Sequence, residues 1–192
     1  MSNTALAEKV LALFTSPDRA AAMAGDLTEE REHRGRAWFW LHVAGTTLAL
    51  WRSAATDAPL RVLVLAVAGG ALFTAPAFAG AAAVGLFPQS LGSPVSWVVL
   101  SLFWWGGALW IGASLVTIAP RRGMAACATL AATGEALLIA LVTTALLRGL
   151  WRSEFLLFYT TGLLVAVPLV VGGAIVRLGM IARGIPALEQ RR

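Results

Sequence analysis

The chain has 192 residues, 58% hydrophobic and 13% charged, with a net charge of +5 and a mean hydropathy of +0.76. That balance lies outside the range of soluble domains and excludes a fold built in water alone. Seven basic and seven acidic residues precede Val62 and cancel, so the positive excess lies in the apolar part, a pattern of headgroup anchors rather than of nucleic-acid binding.

Residues 1–36 read as a small helical headpiece. Leu6, Val10, Leu13 and Phe14 fall on one face of a first helix, and Ser16, Pro17 and Asp18 open a second with a cap, a first-turn proline and an acidic first turn. Asp26 and Glu29 then have capping-box spacing, which predicts a further helix start. The apolar stretch Val10 to Phe14 is too short for the core of a secretory signal.

Residues 37–53 follow, with Trp40, Leu41, Ala44, Leu48 and Trp51 on one helical face. About 15 apolar-leaning residues are too few to span a bilayer. The expectation is an amphipathic helix on the membrane surface, anchored by Trp38, Trp40 and Trp51; a fifth span, which would move the N-terminus across the membrane, is the rival.

Four long apolar runs complete the chain: 62–87, 95–119, 124–147 and 155–176. A hydrocarbon layer roughly 30 Å thick needs about 20 residues at 1.5 Å each, so every run suffices. Period-two polarity is absent, and backbone groups in lipid must be satisfied within their own segment, so the spans are expected to be helices. The connectors, Pro88 to Pro94, Pro120 to Gly123 and Arg148 to Glu154, are short enough to force antiparallel neighbours. Ser93 and Pro94 open the second span and Pro120 closes it, while Pro76 and Pro168 fall inside the first and fourth. The first run, at about 39 Å, needs a tilt or a kink at Pro76. The expected fold class is all-α: a polytopic membrane protein of four antiparallel transmembrane helices with a helical headpiece and a surface helix.

Arginine placement sets orientation. Arg52, Arg61, Arg121, Arg122 and Arg177, together with the rest of the basic tail 177–192, share one side if both termini are cytosolic; Arg148 and Arg152, beside Glu154, lie opposite. The expected location is a bacterial cytoplasmic (inner) membrane, the bias of fourteen Arg to one Lys suggesting a GC-rich genome.

The segment from Ala7 to Trp51 carries Leu11-Ala12-Leu13-Phe14, Ser16-Pro17-Asp18-Arg19, Gly25-Asp26-Leu27-Thr28-Glu29-Glu30 and Trp38-Phe39-Trp40. It resembles the permease prefix found ahead of bacterial ABC transporter permeases of the macrolide-exporter type. Those permeases place a large extracytoplasmic domain after their first span, where this chain has only a seven-residue connector. What the resemblance implies is therefore a cytosolic docking or regulatory module on a different membrane anchor, without a catalytic residue.

Glu135, near the middle of the third span, is the best functional candidate, because an ionisable group at that depth costs several kcal/mol unless neutral or paired. Three readings stay open: a neutral acid bonded to a neighbouring Ser, Thr or Trp, with Ser101, Ser114, Thr117 and Thr133 as partners in kind, a proton or cation relay, or pairing with an arginine of a partner protein. Ala128, Ala132, Ala136 and Ala140 form a small-residue stripe for packing within the chain or in a homo-oligomer. Asp26, Glu29 and Glu30 belong to a charged cluster that is either a solvated face or a docking surface.

His33 and His42 lack metal-site spacing, Cys127 is the only cysteine, and no phosphate loop or nucleophile elbow occurs, so no metal, cofactor or enzymatic activity is expected. The expected function is non-enzymatic: an accessory or regulatory membrane protein whose headpiece docks a partner such as a transport complex. A small proton-coupled carrier or channel using Glu135 is the alternative, with membrane shaping by residues 38–51 a weaker third.

Overall fold

The computed structural model describes residues 2–85, 94–149 and 153–184. Seven helices follow one another among the described residues: α1 (Asn3–Ala12), α2 (Pro17–Arg34), α3 (Arg36–Asp57), α4 (Pro59–Gly85), α5 (Pro94–Ile118), α6 (Pro120–Leu147) and α7 (Ser153–Ala182). No strand occurs among the described residues. Among the described residues four helices are long and apolar enough to cross a membrane, over Pro59–Gly80, Val98–Ile118, Arg122–Thr144 and Val165–Ala182. The chain is thus all-helical and of multi-pass membrane type; α3, at 22 residues, is not among the four. The connector 88–94 lies outside the described residues except for Pro94, as does part of 148–154.

Proline opens α2, α4, α5 and α6, at Pro17, Pro59, Pro94 and Pro120. Its ring presets the helical φ, and its missing N–H would have been unsatisfied in a first turn anyway. Pro120 therefore starts α6 rather than merely ending the preceding span, and the expected joint of four residues shrinks to Ala119. So sharp a reversal needs glycine at 123, where a Cβ would run into the Leu115 carbonyl and the Val116 backbone. Ser16 caps α2 by backbone geometry without a side-chain bond. No break follows at Asp26: α2 continues to Arg34, and the Thr28 hydroxyl donates to the Ala24 carbonyl at 2.6 Å. Gly35, at φ +87°, then ends α2 as only glycine readily does.

The helices close around three apolar clusters. The first joins α1, α2 and α3 through Ala7, Leu11, Ala20, Ala24, Phe39 and Val43, with Ile181 of α7 packed against it. Alanines let α1 and α2 approach closely, so the buried face of α1 is Ala7 and Leu11 whereas Leu6 is 43% exposed. The second cluster lies among the long helices, around Ala108, Ile111, Leu115, Val116, Met124, Cys127 and Leu169, and Leu13 and Phe14 reach it from the N-terminal segment. The third, Val62, Ala125 and Ala126, is covered by Trp51 and Ala54 of α3. These last contacts place the N-terminal helices and the long helices in one packed body.

Between α5 and α7 the backbones touch. A Cβ on Gly112 would meet the Leu169 carbonyl, and one on Gly172 would meet the Leu109 carbonyl. Lipid supplies no hydrophobic drive for one apolar helix to leave it for another, so close backbone packing of this kind carries much of the association. The alanine stripe on α6 is not used in this way. Ala132, Ala136 and Ala140 are exposed, and the inward side of α6 runs instead through Cys127, Leu130, Ala131 and Leu138.

Candidate functional site

Glu135 sits on α6 against a half-open cavity of about 360 Å³ lined by residues of all four long helices. Its walls are Gly70 and Phe73 from α4, Trp104 and Ile111 from α5, neighbouring apolar residues of α6, and Val165 and Leu169 from α7. The packing explains the space. The helices are pressed together where α5 meets α7 at Gly112 and Gly172, and Phe73, Trp104 and Leu169 hold them apart beside that crossing. Pro168 adjoins Leu169 inside α7 and removes one intrahelical hydrogen bond there.

The chemistry of the cavity is sparse. Among the described residues, Glu135 Oε2 is enclosed and meets no hydrogen-bond partner. Three hydroxyls that suggested themselves as partners are engaged elsewhere: Ser114 donates to the Trp110 carbonyl at 2.8 Å, Thr117 to Ala113 at 2.8 Å and Thr133 to Thr129 at 2.8 Å. Each bond stays within its own helix, a common way for Ser and Thr to satisfy themselves in lipid. Trp104 shares the cavity with Glu135, while the adjacent Trp105, which a helix points in a different direction, is 38% exposed.

An enclosed carboxyl oxygen without a partner costs about 1–3 kcal/mol. Glu135→Leu, similar in size and apolar like the walls, is therefore expected to raise the thermal transition of the purified protein by a few degrees. Unchanged or lower melting would mean that the carboxyl is satisfied and contributes to the fold. A side chain retained against stability is the usual mark of a working group.

The other singled-out residues lie elsewhere. Trp38 stacks on His42 with ring centroids 3.8 Å apart, and the Arg34 guanidinium stands 5.1 Å above its ring. Trp40 meets Phe39 edge-on at 5.2 Å, and Trp51 Nε1 donates to the Thr129 hydroxyl of α6 at 3.3 Å. All three tryptophans are half-buried in the protein, and the outward face of α3 carries Leu41 and Leu48, 70% and 57% exposed. Arg52 and Arg61 are exposed, Arg122 is half-buried, and the side chain of Arg121 lies outside the described residues. Arg177 is no part of a tail: α7 continues to Ala182, and Arg177 is only 2% exposed. The first charge after an apolar run marked its end in the sequence, but Ile181 carries the helix on into the N-terminal core.

Asp26, Glu29 and Glu30 are exposed on α2, with Glu30 paired to Arg34 at 3.7 Å. Among the described residues no three His, Cys, Asp or Glu side chains come together to hold a metal ion. The chain matches no family model, no curated protein and no solved structure.

Proposed function

We propose that this is a non-enzymatic accessory or regulatory protein of a bacterial inner membrane. In this reading four antiparallel helices serve as anchor, both termini are cytosolic, and the headpiece of α1 to α3 docks another protein. The observation that carries it is the division of labour in the headpiece. Its buried apolar residues pack into its own core and against α6 and α7, while Asp26, Glu29 and Glu30 stand exposed on α2. A rigid acidic face held against an anchor favours recognition, since complementary charge gives partner choice and encounter rate. The likeness of residues 7–51 to a permease prefix makes a transport complex the partner to look for. Leu41 and Leu48, exposed on α3, support contact of that helix with the bilayer surface.

Deleting residues 1–36 is a poor test, because Phe39 and Val43 would lose their covering core. The sharper variant reverses charge alone, Asp26→Lys, Glu29→Lys and Glu30→Lys together. Affinity purification from native membranes should recover a reproducible partner with the wild type and about tenfold less with the triple variant, a change of about 1.4 kcal/mol. No partner, or equal recovery, overturns the docking role.

The cavity favours a second reading, a small proton-coupled carrier in which Glu135 titrates. The cavity walls are otherwise apolar. Proton flux in liposomes that Glu135→Gln abolishes would establish this reading, and its absence would leave Glu135 outside any transport.

A further inference from the structure

A second space of about 360 Å³ lies where the N-terminal helices meet the long ones. Its polar wall is drawn from four elements: Ser16 and Arg19 from the start of α2, Asp57 from the end of α3, Arg122 from the first turn of α6, and Arg177 from near the end of α7. Thr15 completes it. Three arginines and one aspartate thus line a cleft large enough for a tetrahedral anion.

We propose that this cleft binds a phosphate-bearing anion, supplied either by the headgroup of an anionic phospholipid or by free phosphate. Arginine suits the ligand because its planar fork bonds two phosphate oxygens at once. Arg177 has contacts of its own within the protein, so the argument rests on the summed charge and not on any single vacant donor. Arg19 and Arg122 line the same cleft, and an anion between them would offset the repulsion of like charges. The start of α2 adds to the attraction. The Ser16 hydroxyl makes no cap bond, and the first-turn amides carry the positive end of the helix dipole. Asp18, in the same turn, is exposed and takes no part in the lining.

Position brings a lipid within reach. Arg122 is the first residue of one candidate span and Arg177 lies in the last turns of another, so the cleft is at the level where a span leaves the hydrocarbon. Because its walls come from both α2 and the long helices, an occupant would also tie the headpiece to the anchor.

The test uses the full-length protein, purified and delipidated in a neutral detergent. Its thermal transition is followed during titration with short-chain phosphatidylglycerol, with phosphatidylcholine, and with inorganic phosphate at constant ionic strength. Saturable stabilisation by phosphatidylglycerol, absent with phosphatidylcholine and with phosphate, identifies a lipid headgroup; stabilisation by phosphate as well identifies the free anion as sufficient. Either result must weaken about tenfold in Arg19→Gln and in Arg122→Gln, and strengthen in Asp57→Asn, which removes the one opposing charge. Arg19 is exposed, so its variant folds even where that of Arg122 does not. No saturable effect of either anion, or one untouched by Arg19→Gln and Asp57→Asn, overturns the proposal.

Discussion

Gly112→Ala is expected to destroy the fold of the membrane part, although it adds a single methyl group. The added carbon would occupy the space of the Leu169 carbonyl and crowd the Gly173 nitrogen at 2.9 Å. Overpacking typically costs about 1–3 kcal/mol when side chains can yield. Here the obstacle is backbone, so α5 and α7 must separate and forfeit their contact along the crossing. Gly172→Ala meets Leu109 in the same way and should behave alike, the two variants together being no worse than either, since they break one interface. Gly106 and Gly179 lie on the same two helices, with nothing within 4 Å of an added Cβ. Alanine at either should stabilise its helix by about 0.5–1 kcal/mol, because glycine loses more backbone freedom on folding. Size-exclusion profiles and thermal melting in detergent distinguish the pairs: aggregation with the first, wild-type or higher melting with the second. Gly112→Ala protein that melts like the wild type would mean that α5 and α7 do not touch at backbone distance.

The contrast between these glycines and the alanine stripe shows what was legible in the sequence. Long runs with at most one charge can only be buried or immersed in lipid, so the four long helices were readable from composition and length. Which small residues serve the contact was not. Ala128 to Ala140 repeat every four residues, yet Gly112, Gly123 and Gly172, which show no such period, make the close approaches. Periodicity describes one helix; a contact needs the position of two. The same limit explains Arg177, whose distance from the apolar run's end is plain but whose burial at 2% exposure is not. Glu135 was visible because a lone charge in lipid is conspicuous without neighbours. Its cavity was not, since Phe73, Trp104 and Leu169 come from three other helices. The N-terminal core was hidden for a chemical reason: Ala7, Ala20 and Ala24 are small enough to be passed over in a count of apolar faces, and it is their smallness that brings α1 and α2 together.

Phe39→Ala should loosen the N-terminal helices while leaving the long ones intact. Phe39 is fully buried, touches Trp40 edge-on and lies under the Arg31 guanidinium, 5.6 Å from its ring centroid. Truncating a buried Phe costs about 3–5 kcal/mol, through lost burial and the void left behind. A core of small residues has few side chains that could swing in to refill it. Leu41, two residues on and 70% exposed, provides the control: Leu41→Ala should leave the core as it is. Limited trypsin digestion in detergent reads the difference, with rapid cleavage at Arg31, Arg34 and Arg36 in Phe39→Ala, slow cleavage there in Leu41→Ala, and residues 94–147 protected in both. Equal digestion of the two variants would show that α1 to α3 do not depend on this core. The pair also discriminates between modes of docking. Asp26, Glu29 and Glu30 are chemically unchanged in Phe39→Ala, so a partner that needs them on a rigid surface should be lost with the core. A partner captured equally well by the loosened protein would be recognising a short acidic stretch of α2, and the anchored headpiece would then matter for location rather than for shape.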